Sequence, residues 1–414
     1  MTDREAELLE AIVRAPEDDT PRLIFADWLS EQGDPRGELI HLQLRAASLE
    51  AGGERNKVRA AENKLLDAHR AAWLGPIAGV VEKAEFRRGF VAMVRMTARA
   101  WIAHAKSVLA VAPLIDELEL LFGEGEGGLG PEAFERPEMR HVRSLSLRGM
   151  HAEPVRALAA ASTLGALRTL VLEGAPLSPT EGEAIAAAKL PQLRALRMTV
   201  ASDLALAPDV LWAIGRAKFS LESLFVDGQE WSMAPTALGA AGAAAIVGGA
   251  AFSSLKRLEL PFMGLGAEGV SGLMDLQGLE ALDVTRARIG PAGLDPLFAH
   301  ERLREVNLFG NDLGDAGAAR IAKSPALARW SFLHLGGNDL GLEGVQALAD
   351  SPYAKNLRTL NLVSNGRLRD RAIDVLLAST NLHDARIWVR NGFLARKKVP
   401  ITIERKLEKK RTKK

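Results

Sequence analysis

From residue 115 onward the apolar residues of this chain return in one arrangement, three apart and then two apart within short blocks. IDELEL (115), VRSLSL (142), LRTLVL (167), LRALRM (193), LESLFV (221), LKRLEL (255), LEALDV (279), LREVNL (303), WSFLHL (330) and LRTLNL (357) align on positions one, four and six, and LHDARI (382) is a degraded last copy. From 145 to 360 the fourth positions are spaced by 25, 26, 28, 34, 24, 24, 27 and 27 residues. A period of this size marks a repeat array. Alternation within each block predicts a β-strand, with positions four and six facing a core and positions three, five and seven facing the other way. A glycine-marked turn and an Ala/Leu-rich amphipathic stretch follow, as in NLFGNDLGDAGAARIAKSPA (307–326), which reads strand, turn, helix. No copy can bury its apolar residues alone, so the copies must stack. The expected fold class is α/β, a solenoid with a curved parallel sheet inside and helices outside.

Residues 114–391 resemble leucine-rich repeats of the ribonuclease-inhibitor type. In that family an asparagine three positions after the strand hydrogen-bonds backbone groups of the turn. Asn311, Asn338 and Asn365 keep it, whereas Met150, Ala175, Ala201, Gln229, Met263 and Ala287 replace it. The earlier repeats are therefore expected to be less regular, with QEWSMAPTALGAAG (229–242) as an inserted loop in the 34-residue step.

Upstream, AELLEAIVRAPED (6–18) has helical spacing. Thr20 fits an N-cap and Pro21 the first position of a second helix that runs to about Gln32. Gly33 ends that helix, Asp34 caps a third, Pro35 starts it, and Glu38 lies near its positive end. The run Ala-Asp-Trp-Leu (26–29) followed by Gly-Asp-Pro-Arg-Gly-Glu (33–38) resembles a short bacterial repeat-companion domain, and HRAAWLGPIAG (69–79) and EFRRGFVAMVRM (85–96) fit the same module. The resemblance implies no catalytic activity. The expected organisation is a helical N-terminal cap module at 1–113, a repeat solenoid at 114–391 and a basic C-terminal tail at 392–414. The functional alternative for the opening stretch is an acid/base or metal cluster of Asp27, Asp34, Glu38 and His41, but a Gly-Asp-Pro break separates its halves and spacing does not force them together.

Composition changes this picture in three places. Lys plus Arg number 53 and Asp plus Glu 52, yet residues 396–414 hold ten Lys/Arg against two Glu, so the tail carries +8 and residues 1–395 carry −7 of the total +1. There is no cysteine, which excludes disulfides, thiol nucleophiles and Cys-based zinc sites. The start lacks the cationic and apolar blocks of a signal peptide and no run of about eighteen apolar residues occurs, so the expected location is cytoplasmic. GEGEGG (123–128) and GLGAEG (264–269) satisfy a dinucleotide fingerprint; the second is the repeat's own turn-to-helix element, and Glu124 and Glu126 in the first oppose a phosphate. No P-loop, H-E-x-x-H or G-x-S-x-G is present. A non-enzymatic chain without a cofactor is expected.

Function then falls to the outward rows. Position five carries Arg197, Phe225, Glu259, Asp283, Asn307, His334, Asn361 and Arg386; position three adds Arg257, Glu305 and Phe332, and position seven adds Phe309 and Trp388. Over the full rows, counting also Glu117, Glu119, Arg148, Glu173, Asp227 and Asp384, eight acids stand against four arginines. An acidic face with aromatic anchors predicts a partly basic protein partner. Position two offers a competing pattern, since Arg143, Arg168, Arg194, Lys256, Arg304 and Arg358 read as a basic ridge that, with the tail, would suit nucleic acid.

Overall fold

The computed structural model describes residues 2–50, 52–123, 130–149, 152–200, 206–228, 238–389 and 392–394. It divides into two compact units, Met1–Ala175 with Ala188–Leu193, and Pro176–Ala187 with Arg194–Lys414. Of the expected basic tail at 392–414 only 392–394 are described, and most of the expected inserted loop lies outside the described residues.

The first unit opens with helices α1 (Asp3–Arg14), α2 (Thr20–Glu31), α3 (Arg36–Ser48) and α4 (Gly53–Leu74). Thr2 and Glu5 form a capping box at the start of α1, and Leu8 and Ile12, four apart, bury its inner face. Thr20 is not the cap but the first residue of α2; Asp19 is the N-cap and makes no side-chain cap bond, while Asp18 Oδ1 accepts the Thr20 N–H at 2.9 Å. Hydrogen bonds from Thr20 hold that carboxyl below its usual range. Gly33, at φ +72°, ends α2, and Asp34 Oδ1 accepts the Arg36 N–H at 2.8 Å to begin α3. Gly37 sits where α3 crosses α2, so close that a Cβ there would lie 2.5 Å from the Ala26 carbonyl oxygen. Gly-Asp-Pro-Arg-Gly is thus the chemistry of a tight turn and a close helix crossing.

A hairpin follows, β1 (Lys83–Arg87) antiparallel to β2 (Phe90–Thr97), then α5 (Ala98–Val111), β3 (Glu117–Leu121), β4 (Ser144–Arg148), α6 (Ala152–Ala160) and β5 (Thr169–Ala175). Buried Gln43 ties α3 to the hairpin. Its amide donates to the Phe86 carbonyl at 2.9 Å, and its oxygen accepts the Gly89 N–H at 2.7 Å. Phe25 stacks on both Trp28 and Phe90 with ring centroids 5.9 Å apart, joining α2 to β2. Strand β2 pairs in parallel with β3, placing Val94 beside Leu118, and the register continues through Leu145 to Leu170. Val91-x-x-Val94-x-Met96 is therefore a repeat strand, with valine and methionine where other copies have leucine.

In the second unit the elements are α7 (Pro179–Ala187), β6 (Ala195–Val200), α8 (Pro208–Gly215), β7 (Ser223–Asp227), α9 (Gly239–Gly248), β8 (Arg257–Glu259), α10 (Gly266–Leu273), β9 (Ala281–Asp283), α11 (Asp295–Ala299), β10 (Glu305–Asn307), α12 (Gly314–Lys323), β11 (Phe332–His334), α13 (Leu342–Asp350), β12 (Thr359–Asn361), α14 (Asp370–Ala378), β13 (Arg386–Val389) and β14 (Gly392–Leu394). Strands β6 to β13 pair in parallel in chain order, and the fourth positions Leu196, Leu224, Leu258, Leu282, Val306, Leu333, Leu360 and Ile387 form one buried row. Antiparallel β14 follows β13.

Two details refine the expected repeat. Asn311, Asn338 and Asn365 form a buried ladder: Asn338 donates to the Leu308 and Gly336 carbonyls at 2.8 and 3.0 Å, and accepts the Asn311 and Leu313 N–H groups at 2.8 and 3.3 Å. Met263 and Ala287 fill the equivalent places as buried apolar side chains. The last copy, however, is DARIWV rather than LHDARI. Arg386 pairs with Thr359 and Trp388 with Asn361, so Arg386 stands in position three and Trp388 in position five. Leu382 draws the motif two residues early, while Ile387 and Val389 are the buried pair.

Candidate functional site

The fourth and sixth side chains of the second unit are buried, and the third and fifth project from the opposite, open face of its sheet. At β6 and β7 the Arg197 guanidinium lies 3.8 Å from the centre of the Phe225 ring, a close cation–π contact. At β8 to β11 the face sinks into a depression of about 290 Å³ walled by Arg257, Glu259, Asp283, Glu305, Asn307 and Phe332. Arg257 spans it, 2.6 Å from Glu305 and 3.8 Å from Glu259. Two carboxylates, Glu259 and Glu305, therefore share one guanidinium, while Asp283 on the same wall is held by Thr285 and Asn307. Burial pushes the Asp283 carboxyl up, and Asp227 adds to the rise against hydrogen bonds from Thr285 and Asn307.

Several of the expected contact residues have a second task. Asp283, Asn307, His334 and Asn361 each accept the N–H two residues ahead, on Thr285 at 2.8 Å, Phe309 at 3.1 Å, Gly336 at 3.0 Å and Val363 at 3.1 Å. An acceptor at position five thus turns the chain out of the strand after three residues, the work of an Asx-type turn. The run Asp, Asn, His, Asn at successive fifth positions is the sequence signal for it. Phe309 packs edge-on against His334 with centroids 5.4 Å apart, and Phe332 does so at 6.4 Å. Both phenylalanines, expected to be exposed, are half-buried, whereas Trp388 is 42 % exposed.

Burial lowers the His334 imidazole from 6.5 to about 4. Protonation would also break the bond from Gly336 to its Nδ1. With the folded value below the unfolded one, the neutral ring's contribution is complete above 6.5 and is lost as pH falls from 6.5 towards 4. The full shift is worth about 3 kcal/mol, which partial exposure reduces to about 1–2 kcal/mol. His334→Asn, which restores the acceptor used by Asn307 and Asn361, is expected to keep neutral-pH stability while flattening the pH dependence in that window. Urea denaturation across pH checks this, and an unchanged slope would contradict it.

In the first unit the open face is neutralised by pairing. Arg95 meets Glu119 at 2.8 Å, Glu119 also pairs with Arg148, and Arg148 meets Glu173 at 3.0 Å. Glu117 lies 2.7 Å from Arg87. The excess of acid read from the rows therefore does not extend to these residues, because Arg87 and Arg95 fall outside the aligned copies.

Of the alternative cluster, only His41 and Asp27 meet, at 3.1 Å on the surface, while Asp34 is committed to capping Arg36. No group of three or more His, Asp or Glu suited to a metal occurs among the described residues. The basic ridge at position two is interrupted. In the backbone ladder that runs through Arg194, Lys256 and Arg304, Glu222 and Glu280 occupy the intervening rungs. Glu222 lies 2.8 Å from Lys256 and 4.0 Å from Arg194. GLGAEG is a turn entering α10, with Gly264 and Gly266 at positive φ, and residues 124–129 of the other glycine-rich stretch lie outside the described ones. No helix among the described residues is long and apolar enough to cross a membrane.

No curated protein matches the chain. Among solved structures, the crystal structure of the Rad7 and Elc1 complex in yeast is similar over 75 % of this chain and 87 % of that one, with 17 % identity and a TM-score of 0.44. The family described as Leucine Rich repeat matches residues 302–322 and 332–349, which hold β10, β11 and most of α12 and α13 together with Asn311 and Asn338. With the matched segments, the parallel register and the asparagine ladder, the fold of this chain is α/β and built on leucine-rich repeats.

Proposed function

We propose that this chain is a non-catalytic protein-interaction scaffold whose open sheet face in the second unit receives a basic segment of a partner. The observation that carries this reading is the depression over β8 to β10, where Glu259, Asp283 and Glu305 outnumber Arg257 beside the half-buried ring of Phe332. A lysine or arginine of the partner entering there meets an acidic site already built, with an apolar wall for its stem. Arg197, Phe225, His334, Asn361, Arg386 and Trp388 extend the contact surface along the strands. Preformed surfaces of this kind lose little ordering entropy on binding. Residues 1–113 serve in the same reading as the N-terminal module, whose helices cap the array by packing α1 and α2 on Phe90 and whose β2 is itself the first parallel strand.

Nucleic-acid binding is the weaker reading. Glu222 and Glu280 break the row of cations that a phosphate backbone would follow.

The test is quantitative affinity capture with wild type and with Glu259→Lys/Glu305→Lys. These two acids are chosen because, unlike Asp283 and Asn307, no turn N–H depends on them. A specific protein lost by the variant, with circular dichroism unchanged, is the expected result. Identical captured sets would overturn the proposal.

A further inference from the structure

Outside the open face, the first unit holds a second cavity, of about 330 Å³, between the end of α1, the start of α2, the hairpin turn and the segments leading into β3 and β4. Arg22, Arg87, Arg88 and Arg143 line it together with His141, against the two carboxylates Glu17 and Asp116. Its remaining wall is apolar and includes Val13, Phe90, Pro113 and Leu114.

The cations are unequally satisfied. Arg87 is held by Glu117, 2.7 Å away. Arg88 lies 3.5 Å from Asp19 and 3.7 Å from Glu17, and Arg143 lies 3.4 Å from the same Glu17. Arg22 differs from all three. It is 5 % exposed, donates to the Asp18 carbonyl at 3.0 Å, and its Nε has no hydrogen-bond partner among the described residues. Burial weakens its hold on its proton and the charge of Arg88 adds to this, against the opposing pull of the Asp19, Glu17 and Asp18 carboxylates, none of which is hydrogen-bonded to it. A buried guanidinium without a bonded carboxylate is costly unless something anionic completes it. Asp116 on the wall is half-buried, and burial pushes its carboxyl up, so it opposes an incoming anion less than an ordinary aspartate.

We propose that this cavity binds a small organic anion, a phosphate or carboxylate group carried on an apolar body, with Arg22 as the buried anchor, Arg88 and Arg143 at the mouth, and Val13, Phe90 and Leu114 against the body. The ligand class follows from the two halves of the lining. Guanidinium groups from three separate elements give charge-assisted donors to an oxyanion, and the apolar wall excludes an ion that has no carbon to bury. The site is independent of the acidic depression in the second unit and takes a ligand of opposite charge.

Isothermal titration of the full chain at fixed ionic strength, with phenyl phosphate, benzoate and inorganic phosphate as probes, tests this. Phenyl phosphate or benzoate should bind more tightly than inorganic phosphate, and whichever of the two is favoured identifies the oxyanion. Arg22→Met should weaken binding by about tenfold or more, the loss of a charge-assisted pair. Should that variant unfold, the half-exposed Arg143→Gln carries the same expectation at a smaller size. Glu17→Gln frees Arg88 and Arg143 from their shared carboxylate and should tighten binding by about threefold. Equal affinity in wild type, Arg143→Gln and Glu17→Gln would place the anions outside this cavity and overturn the proposal. So would the absence of binding by all three probes.

Discussion

Asn338→Ala is expected to remove about 3–5 kcal/mol of stability from the second unit. The amide is 1 % exposed and serves four backbone groups: the carbonyls of Leu308 and Gly336 and the N–H groups of Asn311 and Leu313. Alanine supplies neither donor nor acceptor, and each buried group left unpaired costs about 1–3 kcal/mol, less whatever water recovers. The loss should spread to the copies on either side, because Asn338 accepts from the turn of Asn311 and its own N–H donates to Asn365. Urea denaturation and amide exchange of residues 308–340 measure it. A loss under about 1 kcal/mol, with exchange unchanged at Leu313, would show that the ladder is replaceable by solvent.

Gly37→Val is the second large effect, expected at about 3 kcal/mol or more, and it decides between two explanations of the Gly-Asp-Pro-Arg-Gly-Glu stretch. If Gly37 merely occupied a helix, Gly37→Ala would stabilise by up to about 1 kcal/mol through helix propensity. The Cβ would instead meet the Ala26 carbonyl oxygen and the Ser30 hydroxyl, each at 2.5 Å, so even alanine must push α3 off α2 and is expected to destabilise. Gly33 is the control. Its φ of +72° opposes a side chain but nothing lies within 4 Å, so Gly33→Ala should cost only about 1–2 kcal/mol. Thermal unfolding of the three variants gives the order directly. A neutral or stabilising Gly37→Ala would remove the close crossing from the account.

Much of this fold is legible in the chain because a repeated strand states its own register. Leucines at positions four and six recur at nearly constant spacing, and Asn311, Asn338 and Asn365 mark the turns. Legibility fails where another residue does leucine's work. Val94 and Met96 are buried as thoroughly as the leucines they replace, yet a pattern keyed to leucine passes them by. It fails in the opposite way at Leu382, an apolar residue in the wrong phase, which hides that Ile387 continues the 27-residue step from Leu360. Alternation tells which side chains face outward but not what they hold once there. Asp283 and His334 are on the open face as expected, but each also fixes its own turn, and Phe309 and Phe332 lean on His334 instead of standing free. The cavity around Arg22 was invisible for a simpler reason: its arginines come from α2, the hairpin and the approach to β4, and only folding brings them near one another.

Hydrogen–deuterium exchange of the chain with and without its captured partner tests the central claim most directly. The account predicts slowed exchange in β8 to β10 and in the turns 260–264, 284–288 and 308–312 that leave them, with α9, α10 and α12 unchanged. Protection confined to those helices, with the strands and their turns exchanging as in the free chain, would contradict it.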